Sequence, residues 1–456
     1  MRDHAAMKRS YVMFWSRLAW ALLGLCVLFN PGCSKNNEPA ATKQRELIVW
    51  HVEPTQGAVD VLNAIAKELE RDNPGLKVVV ENKPWLTLGA ELASAISQQR
   101  SPDLSMVEPY MMSSLISQGL IEPLDDVYGK IGKEDVYPFL REMNTFENHL
   151  YGIPHAYGIG YFSVRIDLLK KLGLGTPKTW DEFLAMAQAM KTYYPAPVLL
   201  CGGTDFLLDQ LFVNLVASNG GRMFDPQTNR PLFDSPEVIQ TLEFFDRMAK
   251  FAPTDWKTRP YQDTFVAYSK GDAAIVPLTA ARTINQIAKD APPDIADPSH
   301  FGVFQTPVGP RGTNSFTFID AEPWVVFAKS KNKDLARQFL YKFYSDETYL
   351  RFCRAVPLHL TPSRLSLRER YFNDPFLQKW HSWAEVQVQV IEGKKGYPLM
   401  SSSKEEHRLP FLWDVYQARI VTEMIGGKGA QTPVERAKVA QQRAEDLIAK
   451  TGYKKW

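Results

Sequence analysis

His149 to Phe183 reads HLYGIPHAYGIGYFSVRIDLLKKLGLGTPKTWDEF, and the fold is decided here. A tight Gly-Ile-Pro lead-in is followed by Tyr157-Gly-Ile159-Gly-Tyr161-Phe162-Ser-Val164, whose apolar alternation predicts a strand. Ile166, Leu168, Leu169 and Leu172 then form the stripe of a short amphipathic helix, stopped by Gly173 and Gly175. Thr179-Trp-Asp-Glu182 has the spacing of a capping box, with Phe183, Met186 and Met190 as the buried face behind it.

Upstream, extended and helical patterns alternate. Glu46 to Trp50 predicts a first strand, and Thr55 stands where it can cap a helix with the stripe Ala58, Leu62, Ile65 and Leu69. Leu76 to Val80 predicts a second strand. Asn82 to Trp85 reads as a loop before a helix carrying Leu88, Leu92, Ala95 and Ile96. Pro102 to Val107 predicts a third strand, and Glu108-Pro-Tyr110 opens a helix that ends at Gly119. Such alternation implies parallel βα units, whose ligands bind beyond the carboxyl ends of the strands. The loops at 51–56, 82–87 and 108–111 lie at those ends. Downstream, Asp209 to Asn219 and a Ser235-capped segment predict helices, Ala273 to Val276 a strand, and Pro277 to Arg282 a loop. Thr432-Pro-Val-Glu435 is a second capping box.

The central stretch resembles the crossover segment of the family 1 extracellular solute-binding proteins, the substrate receptors of ABC importers. Further motifs follow in the family's order: SPDL with SLISQGLIEPLDD, then FVAYSKGDAAIVPLTAAR, FGVFQTPVGPRG and SKNKDLARQFLYKFYSDE. The Trp that the family carries in the element matching FVAYSKGDAAIVPLTAAR is absent here. The resemblance covers about residues 46–456. It implies an α/β fold, a two-lobed periplasmic-binding-protein-like clamp of type II with the ligand cleft between the lobes. The lobes expected are 46–154 with 320–356, and 155–319 with 357–456. The chain would cross near 154–157, again near 316–322, and once more near Pro357.

The length suits two lobes better than one core. With 45% hydrophobic and 23% charged residues the chain is globular. Residues 1–32 hold four basic and one acidic side chain; without them 49 basic and 50 acidic residues remain, which offers no basic face for nucleic acid. That leader reads as a signal peptide: a basic start, then an apolar run from Leu18 to Phe29 too short to span a bilayer. Gly32-Cys33 resembles a lipoprotein signal, although Asn30 and Pro31 depart from the pattern. Lipidation at Cys33 and a polar stalk over 33–45 are expected, with a plain secretory signal as the alternative. Cys201 and Cys353 have no metal-ligand spacing and read as two separate buried thiols; a disulfide in an oxidising compartment is the alternative.

No G-x-S-x-G, H-E-x-x-H or phosphate-loop motif is present, so no catalytic residue, metal or cofactor is assigned. A sugar site needs flat apolar platforms for ring faces and fixed polar groups for hydroxyls. The first-lobe candidates are His51, Glu53, Trp85, Glu108 and Tyr110, with Tyr157 at the hinge. The second lobe contributes Asp209, Thr279, Arg282 and Trp413, and Glu322 stands beside Asp320 at the return crossing. Each has a plainer reading: an exposed turn, a packing Trp, or a carboxylate that complements a helix dipole. Trp50 reads as core.

Together these imply a monomeric, lipid-anchored receptor outside the cytoplasm. It would capture a carbohydrate, read here as an oligosaccharide, and hand it to ABC permease subunits. A surface glycan-acting enzyme and a receptor for a non-sugar solute are the alternatives.

Overall fold

The computed structural model describes residues 45–203, 207–398, 401, 405–427 and 431–451. The expected signal peptide, Cys33 and the stalk up to residue 44 lie outside the described residues. Everything below concerns the body that begins at Gln44.

The first sheet has the order β2-β1-β3-β10-β4, where β1 is Arg45–His51, β2 Leu76–Asn82, β3 Leu104–Met106, β4 Ile153–Pro154 and β10 Pro323–Val326. β1 runs parallel to β2 and β3, in register from Arg45↔Leu76 to His51↔Asn82. The helix Gln56–Asp72 buries Ala58, Val61, Leu62, Ile65, Ala66 and Leu69, the face anticipated from the 3.6-residue period. Val61, Leu62, Ile65 and Leu69 each contribute roughly 1.5–3 kcal/mol on burial.

β10 returns antiparallel to β3, with Trp324 opposite Met106. Asp103 fastens this return: it accepts from the Ile48 amide at 2.8 Å and from Ser330 Oγ at 2.6 Å. Trp324 is fully buried, edge-on to Phe339 and Phe343. Trp50 is buried as anticipated, with the Lys83 ammonium 4.2 Å from its ring centre.

The second sheet has the order β7-β6-β8: β6 is Tyr161–Arg165, β7 Ile275–Thr279 and β8 Phe301–Phe304, both outer strands antiparallel to β6. Between the two sheets lies a third, ordered β11-β9-β5, of Gly396–Pro398, Thr317–Asp320 and Gly158–Ile159.

The structure departs from the sequence reading at several points. The expected single strand from Tyr157 to Val164 is two: β5 belongs to the connecting sheet and β6 to the second sheet. The break falls at Gly160, where a Cβ would lie 2.5 Å from both Leu278 Cδ1 and Phe318 Cε1, so no side chain fits where the chain changes sheets. The expected loop Pro277–Arg282 is instead the end of β7, a two-residue link, and the start of the helix Arg282–Asp290. A register shift between Val276 and Thr279 lets the strand run on, with Leu278 at φ 58°. Trp85 is the first residue of the helix Trp85–Ser97 rather than the end of a loop. Thr55 precedes its helix but its hydroxyl makes no cap, because it accepts from Arg282 Nη1 instead.

Both capping boxes form. Thr179 and Glu182 satisfy each other's amides at 3.3 Å, and Thr432 and Glu435 do so at 2.8 and 3.3 Å. Cys201 and Cys353 are separate buried thiols.

Candidate functional site

β1 ends at His51, and the next residues turn away from the first sheet carrying Glu53. β7 ends at Thr279 in the second sheet, and Arg282 opens the following helix. The two meet across the cleft. Arg282 Nη2 donates to Glu53 Oε1 at 2.7 Å and Oε2 at 2.8 Å, while Nη1 donates to Thr55 Oγ1 at 3.3 Å. Asn82 Nδ2 holds the Glu53 carbonyl at 3.0 Å. Glu53 is 1% exposed. Burial alone would raise its pKa, but the Arg282 charge and the imidazole of His155 outweigh that and hold it well below the carboxylate range.

Behind this ion pair stands a group of polar side chains on the crossing segments. His155 Nε2 is 3.8 Å from Glu53 Oε1, and its Nδ1 is 3.8 Å from Glu322 Oε2 and 2.6 Å from the Glu322 carbonyl. His359 Nε2 lies 3.9 Å from Asp320 Oδ2. Burial, with the Arg282 charge, drives the His359 pKa well down, so this imidazole is neutral. His51, buried beneath Asn82, has its pKa lowered to about 4 by desolvation against the partial counter-effect of Glu53.

Glu108 and Glu322 are buried and Asp320 is partly buried; the Asp320 carboxyl hydrogen-bonds to Glu322, and the charges of both act on Glu108. Burial first, then Glu322 and Asp320, push the pKa of Glu108 well up. Burial and Glu322 do the same to Asp320. Both Glu108 oxygens and Asp320 Oδ1 lack a hydrogen-bond partner among the described residues.

The remaining candidates divide. Tyr110, beside Glu108, meets Tyr416 at 6.1 Å, edge to face. Trp413 belongs to the helix Leu412–Gln417 and leans on Gly89 of the helix that Trp85 begins; a Cβ on Gly89 would lie 3.2 Å from Trp413 Nε1. Trp85 stands one turn before Gly89 on that helix, so both tryptophans border the same seam.

Two candidates, Tyr157 and Thr279, lie apart from this group. Tyr157 was expected to face the cleft; its ring packs edge-on against Tyr137 and Phe139 at 5.5 and 5.6 Å. Thr279 is buried, 2.7 Å from the Thr283 hydroxyl. Asp209, buried in the helix Leu207–Ser218, accepts from Thr422, and its charge acts on Tyr110 and Tyr416, so it borders the group. His155 and His359 escaped the sequence reading. His155 directly follows the Gly-Ile-Pro turn, a polar residue placed at a chain crossing, which is a usable signal. His359 carries none.

The profile of the bacterial extracellular solute-binding proteins matches residues 55–349. The maltotriose-binding protein of Pyrococcus abyssi is 28% identical over 202 residues, covering 44% of this chain and 42% of that protein. The multiple sugar-binding protein of Streptococcus mutans is 22% identical over 279 residues, 56% of this chain and 62% of that one. An ABC transporter extracellular-binding protein of Pyrococcus horikoshii is 25% identical over 251 residues, 52% and 56% of the two chains. The chain thus spans about half of the length of these curated relatives. Maltose-bound MalE3 of Thermotoga maritima superposes with a TM-score of 0.72 at 17% identity, over 88% of this chain and 99% of that one. The GacH receptor of Streptomyces glaucescens gives 0.72 at 17%, over 90% and 100%. These likenesses show a shared two-lobed fold. With a matched profile across most of the described body and a cleft where two sheets converge, the chain belongs to the bacterial extracellular solute-binding protein family.

Proposed function

We propose that this protein is the extracytoplasmic receptor of an ABC importer, that it binds a carbohydrate by lobe closure, and that it delivers that ligand unchanged to membrane permease subunits. The observation that carries the reading is the contact of Glu53 with Arg282. A charged pair formed between the segment after β1 and the helix start after β7, which belong to different sheets, exists only when the lobes are together, so these side chains report and stabilise closure. Around it stand groups suited to hydroxyls (Glu108, Glu322, His155) and aromatic faces suited to sugar rings (Tyr110, Trp85, Trp413). The curated relatives named for maltotriose and multiple sugars favour a saccharide.

The lobes of this clamp are 46–154 with 320–356, and 155–319 with 357–456. Among the described residues no helix is long and apolar enough to cross a membrane. The Gly32-Cys33 junction and the polar stretch after it support attachment by a lipid on Cys33 after removal of residues 1–32, and the same proposal has the receptor act as a monomer.

The test is calorimetric titration of the wild-type protein with a panel of mono- and oligosaccharides, with chromatography of the sugar recovered afterwards. Saturable binding and unchanged sugar are expected. Hydrolysed or transferred product would replace the receptor reading with a glycan-acting enzyme. Fractionation of cells carrying Cys33→Ser should move the protein from membrane to soluble fractions; continued membrane retention would remove the lipid anchor.

A further inference from the structure

Both ring nitrogens of His155 face acceptors of the protein, and the two acceptors belong to different parts of the clamp. His155 directly follows β4, at the first crossing, and is 1% exposed. Its amide donates to the Glu322 carbonyl at 3.1 Å, and Nδ1 of its ring lies 2.6 Å from the same oxygen. A carbonyl only accepts, so the proton of that contact is on Nδ1. Two donors of one residue on one carbonyl bind the segment after β4 to the segment before β10, and they fix the direction of the ring. Phe352, in the helix Asp346–Arg354, packs edge to face with it at 5.8 Å.

The other edge of the ring points at the Glu53–Arg282 pair. Nε2 lies 3.8 Å from Glu53 Oε1, the oxygen to which Arg282 donates at 2.7 Å, and it has no hydrogen-bond partner among the described residues. Asn82 holds the Glu53 carbonyl at 3.0 Å, which leaves the carboxylate to be aimed by what stands around it. On one side is a guanidinium carried by the helix after β7; on the other is an imidazole carried by the crossing. Burial raises the Glu53 pKa, and Arg282 and then His155 more than reverse that, so the imidazole favours the ionised form that Arg282 needs. The ring is rigid. Where the Glu322 carbonyl goes, Nε2 goes with it, because no torsion lies between the two ring nitrogens to absorb the movement.

We infer that His155 is a positioning residue for lobe closure: tied to the return crossing through Nδ1, it sets through Nε2 where the Glu53 carboxylate meets Arg282. The inference rests on the reading of Glu53 and Arg282 as a latch, and it gives His155 a role beside its suitability for hydroxyls. A lobe rotation that displaces Glu322 is passed to Glu53 through one side chain, so the angle between the lobes and the strength of the latch change together. Breaking that link should weaken closure only while Arg282 offers Glu53 its two-pronged contact.

The experiment measures the closed-to-open ratio of the whole protein by energy transfer between dyes on the two lobes, beside thermal melts. The variants are His155→Asn, Arg282→Lys, Arg282→Met and the double variant of His155→Asn with Arg282→Lys. Asparagine places a donor where Nδ1 stands and ends short of Glu53, so it keeps the tie to Glu322 and drops the reach. Lysine keeps the cation without the planar fork, which leaves a weakened latch whose closure is still measurable. His155→Asn alone is expected to lower the ratio by about threefold or more, with a melting midpoint within a few degrees of the wild type; beside Arg282→Lys the same change should cost less than about twofold. If His155→Asn does not fold, His155→Gln, which reaches towards Glu53 and loses the tie, is read in the same way, since either break separates the crossing from the latch. A loss below threefold, a loss that stays above twofold beside Arg282→Lys, or a midpoint that falls by more than a few degrees overturns the inference and leaves the latch standing. An unchanged ratio in Arg282→Met removes the latch reading itself, and this inference with it.

Discussion

Removing the Arg282 guanidinium, as in Arg282→Met, should open the clamp without unfolding either lobe. The two contacts to Glu53 at 2.7 and 2.8 Å correspond to a gross attraction of about 6 kcal/mol at an effective dielectric of 20. Burying the carboxylate offsets much of that, because the desolvation penalty is several kcal/mol per ion. If Glu53 stayed buried and unpaired, the loss would reach about 3–5 kcal/mol. It need not stay buried, since opening the cleft rehydrates it, so that figure is an upper bound. The expected effect on closure is about 2–3 kcal/mol, a shift of roughly 30- to 150-fold in the open–closed equilibrium, at ~1.4 kcal/mol per tenfold. The assay is energy transfer between dyes on the two lobes, run beside thermal melts, for Arg282→Met, Glu53→Gln and the double variant. The closed fraction should collapse in each single variant while the melting midpoint moves by no more than a few degrees. A coupling energy below about 0.5 kcal/mol in the double-variant cycle, or melts that fall as far as closure does, would refute the argument. The pair should resist mild acid: with its pKa held down by Arg282 despite burial, Glu53 supports closure above its ordinary value and loses that support only as pH falls through the lowered one.

Further outcomes are expected elsewhere. His51, with its pKa lowered to about 4 by burial, binds its proton more readily unfolded than folded. Stability should therefore rise with pH between the two values, by up to about 3 kcal/mol from this group; melts of the wild type and His51→Gln across that window should converge near pH 7 and diverge towards pH 4. Gly89→Leu should keep or raise helix stability yet drive a side chain into Trp413 across the seam, weakening sugar binding by about 1–3 kcal/mol; calorimetry beside melts separates the two effects. Trp413→Ala and Trp85→Ala should each weaken binding by about 1–3 kcal/mol if their faces carry the ligand, whereas Trp324→Ala should cost the fold about 3–5 kcal/mol; a loss of stability in the first two matching that of the third would remove the stacking assignment.

Local pattern made the first sheet and its helices legible, because the apolar stripe of 58–69 and the strands flanking it follow the periods of helix and parallel βα units. Capping chemistry at Thr179 and Thr432 was equally readable, since each box is written within four residues. What failed was long-range. The alternation of Tyr157 to Val164 looked like one strand because the pattern continues through Gly160; only the approach of Leu278 and Phe318, more than a hundred residues away, reveals why the chain must switch sheets there. Tyr157 then turns to Tyr137 and Phe139, which no alternation rule could show. Glu53 and Arg282 were each chosen from strand-end position, but their pairing spans 229 residues and depends on closure. His359 had no local signature at all.

The polar residues nearest the cleft are carried by the segments that must bend. His155 follows β4 and its amide donates to the Glu322 carbonyl at 3.1 Å. Asp320 ends β9, and Tyr157 and Thr361 exchange backbone hydrogen bonds at 2.9 Å just beyond. The groups proposed to recognise a ligand are thus tied by main-chain bonds to the segments proposed as the crossings between the lobes. A ligand that pulls on Glu322 or Asp320 pulls on a hinge strand directly, with no intervening element to absorb the displacement. Arg282, which opens the helix after β7, reaches the same crossings through Glu53, whose Oε1 lies 3.8 Å from His155 Nε2. The pair proposed to latch the clamp and the polar groups on the crossings are thus one connected set of side chains, so a ligand that shifts one of them acts on both.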